Sequence, residues 1–371
     1  MKILITFLSF GIDVFAGMEH SINNFANGLV EIGHDVIIYT GDMNYSKKLL
    51  DQKYKVYVDK ALYNKKNIQE IDNLILDSYE KNSKEITKNL KMIIDRESPD
   101  YILAEDHLWG ILPYIDVRSF CRCRIGILFH MTHNPQLIIE SLKYGFDDYY
   151  CVSEYVKEEI QYIMVKNHSS FQVNLKILPN CVGKEFFKNG ICTKKHINKV
   201  LCNARISYEK GVDILLEAWQ RLFEEERPDV KLYLTAGDFH FLPKASVFSK
   251  IAKINEKYNC IKLIPNISWE KMPALYSYMD LIVQPSREES FGLSVLEALA
   301  SNRMIISSSA GNLKTLMLGI CATYIPNDVE SLMHLMSAAF KNQFSYDFEL
   351  AKLRAARYLN TRIAKEWIDT L

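Results

Sequence analysis

Glycine, proline and net charge are all scarce in this chain of 371 residues, which has 15 Gly, 10 Pro and 45 Lys+Arg balanced by 45 Asp+Glu. The even charge excludes a nucleic-acid binder, whose phosphate contacts need a net basic surface. No two glycines stand two positions apart, so the Gly-x-Gly core of a dinucleotide fingerprint is missing, and no Gly-Lys-Ser/Thr closes a phosphate loop. Asp-x-Asp, a spacing that holds divalent ions, does not occur either. The 8 cysteines, at 121, 123, 151, 181, 192, 202, 260 and 321, lack the Cys-x-x-Cys spacing of zinc or redox motifs. They read as reduced core thiols of a cytosolic protein. No stretch approaches the ~18 uninterrupted apolar residues of a membrane span.

What is present is a rhythm of short apolar runs alternating with amphipathic segments. This is the pattern of βα units feeding parallel sheets buried on both faces. The first half offers strands near 3–7, 36–39, 101–104, 125–129, 149–152 and 176–178; the second near 200–203, 231–236, 261–264, 281–284, 304–308 and 323–325. The opening run, broken by Asp13, reads as a first strand rather than a secretory signal. A polar stretch at 183–198 has the composition of a linker. The expectation is therefore an α/β chain of two doubly wound parallel-sheet domains, 1–182 and 199–354. Their facing strand ends would form a ligand cleft. The tail at 355–371 reads as helix that either stays on the second domain or crosses back to the first. Residues 46–98, rich in Lys, Asn and Glu, carry Ile68, Ile71, Ile75 and Tyr79, then Ile86, Leu90 and Ile93. That spacing predicts one or two solvated helices, with contact to an acceptor or a membrane surface as the alternative.

The most informative segment is Gln284-Pro-Ser-Arg-Glu-Glu-Ser-Phe-Gly-Leu-Ser-Val-Leu-Glu297. A strand ends at Gln284, a turn carries Glu289 and Ser290, and a helix is predicted to start near Phe291 or Gly292, before Leu293. The unpaired amides of such a helix start suit a phosphate or the polar edge of a sugar. Glu297 lies ~7.5 Å further along the axis. Because helical side chains tilt toward the N-terminus, both carboxylates can border one pocket. Flanked by Leu293, Leu296 and Ala300, Glu297 would need donors, and vicinal hydroxyls would serve.

A second cluster, Arg205 with Lys210-Gly211, follows the strand at 200–203 and precedes a helix. A guanidinium fork and an ammonium at that place suit a diphosphate. At the first strand-helix junction Gly17 is a candidate anion contact. Glu19 and His20 are either acceptor-side polar groups or first-turn residues favoured by the helix dipole. His107, His130 and His133 follow first-half strands. Their spacing is a poor metal set, so they read as cleft residues that hydrogen-bond, His130 foremost.

Taken in order, these features resemble the retaining nucleotide-sugar glycosyltransferases of the GT-B fold, family 4 (group 1), over nearly the whole chain. The residues that carry the resemblance are Ala16-Gly-Met-Glu19, Gly33-His-Asp-Val36, His130, Val152-Ser-Glu, Leu178-Pro-Asn180 and Arg205 with Lys210-Gly211. Ala236-Gly-Asp238, Tyr276 with Asp280, and the E-x7-E pattern from Glu289 to Glu297 follow. The sequence departs from that pattern in Ala16-Gly17 for Gly-Gly, Asn180-Cys181 for Asn-Gly, and Ala310-Gly311-Asn312 where two glycines and an acid are usual.

The resemblance implies that Arg205 and Lys210 hold the donor diphosphate, Gly17 its distal phosphate, and Glu297 the ribose. Glu289, with Ser290, Phe291, Gly292 and Leu293, would take the transferred sugar. His130 would line the reaction centre, and the base would lie near Asn266, Ile267 and Arg205. It implies transfer of a hexose or N-acetylhexosamine from a UDP- or other nucleoside diphosphate sugar to an alcohol. Configuration would be retained, with no metal or other cofactor. Glu19, His20, His107 and His133 would fall on the acceptor side. Expected partners are the donor and the acceptor, not nucleic acid, in the cytoplasm or at the inner membrane face. The competing readings are a sugar-nucleotide epimerase on the same fold and a catalytically silent relative that binds a nucleotide sugar.

Overall fold

The computed structural model describes residues 1–8, 10, 17–41, 53–62, 71–108, 110–168, 172–188, 190, 196–235, 244–265 and 267–371. Phe15, Ala16, Ile68, Cys192, Ala236 to Asp238 and Asn266 lie outside them, as do the side chains of Ile71, Ile75 and Tyr79. The chain folds as two compact units. One comprises Met1–Cys181 together with Asn360–Leu371, the other Val182–Leu359. The stretch 183–198, read as a linker, lies in the second unit.

The first unit holds a seven-stranded, all-parallel sheet in the order β3-β2-β1-β4-β5-β6-β7. Its strands are β1 (Lys2–Thr6), β2 (Asp35–Gly41), β3 (Lys55–Asp59), β4 (Tyr101–Glu105), β5 (Arg124–Phe129), β6 (Asp148–Cys151) and β7 (Leu175–Ile177). Helices α1 (Gly17–Glu31), α2 (Ile71–Glu97), α3 (Pro135–Lys143) and α4 (Glu154–Lys166) connect them. In β1 and β4 nearly every residue is buried, as parallel strands covered on both faces require. The sheet adds one strand to the expectation. Lys55–Asp59 falls in the tract read as wholly helical, and it pairs with β2 from Lys55 to Asp59. The Asp59 carboxylate there accepts the Tyr39 hydroxyl and Asn89 amide.

The second unit holds a five-stranded parallel sheet in the order β10-β9-β8-β11-β12. These are β8 (Lys199–Cys202), β9 (Lys231–Thr235), β10 (Ile261–Ile264), β11 (Leu281–Gln284) and β12 (Met304–Ser307). They alternate with α5 (Val212–Glu225), α6 (Lys244–Tyr258), α7 (Met272–Tyr278), α8 (Leu293–Ala300), α9 (Leu313–Met317) and α10 (Val329–Phe340). Trp219, Leu222 and Leu232 centre its core. The expected strand at 323–325 is a single bridge, Ser308 to Tyr324.

The tail is two helices, α11 (Phe348–Ala356) and α12 (Asn360–Ile368), rather than one. The chain leaves helix after Ala356, and Leu359 in the break bridges to Val182. Beyond that break α12 packs on α1. Trp367 sets its ring edge-on to Phe25 (5.3 Å) and Tyr101 (5.2 Å). The helices approach closely only because residue 28 is glycine: a Cβ there would stand 2.5 Å from the Asn360 carbonyl oxygen. In each sheet the strand order reverses direction once, between β1 and β4 and between β8 and β11, and ligands of open α/β sheets bind at the carboxyl side of such reversals.

Candidate active site

In the second unit the reversal brings together the loops that follow β8 and β11. After β8 the chain runs through Arg205 to a single 3-10 turn, Tyr208–Lys210, and then to Gly211 at the start of α5. Gly211 has φ +64, and a Cβ on it would lie 2.0 Å from the Pro285 carbonyl oxygen, so only glycine lets the loops touch there. The Glu209 carbonyl accepts the Arg287 amide at 2.8 Å and the Glu288 amide at 3.3 Å. The Arg287 guanidinium grips Asp213 in bidentate fashion (2.8 and 2.6 Å), donates to the Tyr208 carbonyl (2.6 Å) and stacks on the Tyr208 ring (4.1 Å). Burial alone would raise the Asp213 carboxyl, but the Arg287 hydrogen bonds and charge hold it below its ordinary value.

This lacing places Lys210 Nζ 2.8 Å from Glu289 Oε2, with both side chains still partly open to water. The Ser286 hydroxyl donates to the same carboxylate oxygen at 3.2 Å and accepts the Gln284 amide at 2.7 Å. Arg205 donates instead to Glu209 Oε1 (3.2 Å), which also accepts the Ser207 hydroxyl (2.5 Å). Thus the two cations expected on one ligand each hold a different carboxylate. Glu209 and Arg287 were not among the expected site residues. Burial pushes the Glu209 carboxyl up, but Ser207, Arg205 and Lys210 bring it below its ordinary value.

Helix α8 begins at Leu293, one residue after the expected start, because Gly292 sits in the left-handed region at φ +97. A Cβ on Gly292 would meet the Leu313 side chain at 2.5 Å. Asn312 braces the turn: its amide N–H donates to the Glu289 carbonyl (3.0 Å) and its side chain to the Phe291 carbonyl (2.8 Å). Phe291 is buried, edge-on to Tyr358, whereas Ser290 and Leu293 are half-buried. The first amides of α8 have no partner within the helix and head the same loop as Glu289.

Glu297 is buried, as its apolar neighbours predict, but it has a protein donor that the sequence did not disclose. The buried Tyr276 hydroxyl lies 3.0 Å from Glu297 Oε2. Tyr276 in turn accepts the Asn203 amide (3.0 Å), and Asn203 Oδ1 accepts the Thr235 hydroxyl (3.1 Å). One hydroxyl does not offset full desolvation, so burial pushes the Glu297 carboxyl up to about 8. Ile267 is half-buried in the loop after β10.

In the first unit Gly17 opens α1 and is exposed, with no described atom within 4 Å of where its Cβ would stand. Glu19 is buried and His20 half-buried in the first turn. At the ends of β4 and β5, Glu105 Oε2 lies 2.7 Å from His130 Nε2, and both side chains are buried. Glu105 is a third residue the sequence reading did not single out. The next residue, Asp106, is in the left-handed region at φ +80 and accepts the His130 amide N–H at 3.0 Å. His130 is thus held by its Nε2 and its backbone amide on the acids at the end of β4. His107, expected on the acceptor side, is buried: its Nε2 donates to the His133 carbonyl (2.7 Å) and its Nδ1 lies 3.1 Å from Asp106 Oδ1. Burial would raise the Asp106 carboxyl, but the His107 charge and hydrogen bond hold it below its ordinary value. His107 therefore braces the strand ends, while the ring of His133 belongs to an exposed residue.

Comparison with known proteins bears on both units. Residues 183–350 match the family described as Glycosyl transferases group 1. A mannosylfructose-phosphate synthase of Agrobacterium fabrum is 27% identical over 155 residues, 40% of this chain and 34% of that protein. The O-antigen biosynthesis glycosyltransferase WclY of Escherichia coli is 23% identical over 270 residues, 72% of this chain and 65% of that protein. The matched stretches thus span about one third to two thirds of these relatives. Among solved structures, sucrose-phosphate synthase from Thermosynechococcus elongatus superposes with a TM-score of 0.79 at 15% identity, covering 100% of this chain and 98% of that one. Anabaena Alr3699/HepE, in complex with UDP and glucose, superposes with a TM-score of 0.74 at 15% identity, covering 100% and 99%. The chain has the GT-B fold, two parallel-sheet α/β units, and its second unit carries the group 1 glycosyltransferase signature. Among the described residues no helix is long and apolar enough to cross a membrane.

Proposed function

We propose that this chain is a retaining, metal-independent glycosyltransferase that moves a hexose or N-acetylhexosamine from a nucleoside diphosphate sugar, with UDP as the favoured nucleotide, to an alcohol acceptor in the cytoplasm. The observation that carries the reading is the Lys210–Glu289 pair, joined at 2.8 Å where the β8 and β11 loops meet at the head of α8. Before a donor binds, each charge neutralises the other. An arriving diphosphate competes for Lys210, with the Arg205 fork and the first amides of α8 beside it, and frees Glu289 to accept hydroxyls of the transferred sugar. Glu297 takes the ribose: two hydroxyl donors, added to Tyr276, favour its ionised form, so the nucleotide binds with proton release near neutral pH. In the first unit, this reading assigns Gly17 to the distal phosphate and His130, oriented by Glu105, to the sugar.

In the transfer step the bond from the sugar's anomeric carbon to the diphosphate oxygen breaks, and its electron pair leaves with the diphosphate. The acceptor oxygen bonds that carbon on the same face, and its proton passes to a diphosphate oxygen. Lys210 and Arg205 lower the barrier by holding the charge that grows on the leaving group. The group 1 match over 183–350, the named glycosyltransferase relatives and the UDP held by the Anabaena neighbour support this reading.

The test is a donor screen in EDTA, with UDP-, GDP- and ADP-sugars assayed for binding and slow hydrolysis. Hydrolysis that persists without metal, and disappears in Glu289→Ala and Lys210→Ala proteins of unchanged circular dichroism, is the expected result. Failure of every nucleotide sugar to bind at millimolar concentration would overturn it.

A further inference from the structure

Cysteines 121 and 123 stand apart from the other described thiols. Cys151, Cys181, Cys202 and Cys260 are buried, and burial pushes Cys151 and Cys202 up to about 12, which keeps them inert at neutral pH. Cys121 and Cys123 flank Arg122 in the turn that enters β5, and their Sγ atoms lie 2.8 Å apart, closer than two thiols in ordinary van der Waals contact. The turn is held from both sides. The Cys121 amide donates to the Val117 carbonyl (2.9 Å), and Arg118 donates to the Cys123 carbonyl (3.4 Å) and to Asp147 Oδ2 (2.6 Å). Cys121 is buried, whereas Cys123 is half-exposed.

We propose that Cys121 and Cys123 are a redox-active dithiol that undergoes exchange with low-molecular-weight disulfides. The two sulfurs are in direct contact, and either can be the donor between them. The contact stabilises one thiolate: the hydrogen bond from Cys123, opposed by burial and aided by the Arg118 charge, brings Cys121 down to about 6. The same contact raises the Cys123 thiol, so Cys123, the sulfur a reagent can reach, becomes the nucleophile only as its proton passes to Cys121. Cys123 attacks one sulfur of the small disulfide, forming a mixed disulfide and releasing one thiolate. Cys121 Sγ, already in position, attacks Cys123 Sγ and expels the second thiolate. The two protein thiols are oxidised, the small disulfide is reduced to two thiols, and the two protons lost by the protein go to them. The ring closed around a single intervening residue is short, so it gains little chain entropy and reopens readily with added thiol.

The experiment treats the full chain with oxidised glutathione, blocks free thiols with an alkylating reagent and maps the peptides. In the wild type, alkylation of Cys121 and Cys123 should fall about tenfold, with loss of two hydrogens and no bound glutathione, and should return after reduction. Cys121→Ser should keep glutathione on Cys123, because the resolving sulfur is gone, while Cys123→Ser should react slowly at the buried Cys121. Full alkylation of both cysteines after treatment, lasting glutathione on wild-type Cys123, or no adduct in Cys121→Ser would each overturn the proposal. Circular dichroism of each variant separates these outcomes from loss of fold.

Discussion

Each unit places an acid and a base at its strand ends, but the two pairs differ in kind. The Glu105 and His130 side chains are 2% and 3% exposed, and the pair is fixed by the packing of β4 against β5. Glu289 and Lys210 are 13% and 18% exposed, and their pair joins two loops rather than two strands. The first pair is a component of its core, where loss of one partner leaves the other desolvated and unmatched. The second is within reach of water and of an incoming anion, so its partners can be exchanged without disturbing the sheet. The fold thus supplies one acid–base pair sealed in the core and one left partly open to water.

The largest expected effect would break this contrast if it failed. Glu105→Ala should destabilise the protein by about 2–4 kcal/mol in urea unfolding, and Glu289→Ala by less than about 1 kcal/mol. Equal losses would mean that both pairs are structural. Turnover should rank the other way within the second unit: Lys210→Ala and Glu289→Ala should each lower kcat by about 10²–10³ with little change in stability.

Next in size is Glu297, buried like Glu105 but without a basic partner. Its carboxyl stands near 8 in the folded chain against an ordinary value of 4.5, so above the lower value the folded state keeps a proton that the unfolded chain releases. Stability should therefore fall as pH rises between those values, and Glu297→Gln should escape that loss. The unfolding free energy of the variant, from urea titration, should gain on that of the wild type by about 3–4 kcal/mol between about pH 5 and about pH 9. The same variant should weaken nucleotide binding by about tenfold and slow the chemical step less, a split read from isothermal titration and single-turnover rates. The smallest effect tests whether ordinary structural elements differ between the units. Ser153 caps α4 and Asp328 caps α10 through side-chain oxygens, and alanine at either should cost about 1 kcal/mol in chemical unfolding.

Much of this was legible in the sequence where the signal is local. The buried runs that became β1, β4, β5, β8 and β11 are near-continuous in apolar residues, and the turn from Pro285 to Gly292 carries its own punctuation. What escaped depends on neighbours far along the chain. β3 is Lys-Val-Tyr-Val-Asp in a lysine-rich tract, and only pairing to β2 makes it a strand. Glu105 reads as the solvated end of a strand until β5 sets His130 beside it, 25 residues away. Tyr276 is separated from Glu297 by 21 residues, and Arg287 reaches Asp213 across 74, so no spacing rule links them. The tail read as one helix because the break after Ala356 carries no glycine or proline, and what marks it is the bridge from Leu359 to the distant Val182.

The return of α12 to α1 gives synthesis of the chain an order of events. The first unit is completed by the last helix: Trp367 packs against Phe25 and Tyr101, which leave the ribosome hundreds of residues earlier. The second unit, a single uninterrupted stretch, has all it needs to fold before the first has its final wall. Until α12 emerges, the seven strands of the first unit are all present but α1 lacks the helix that packs on it, so a substitution in α12 acts on the first unit rather than on the second.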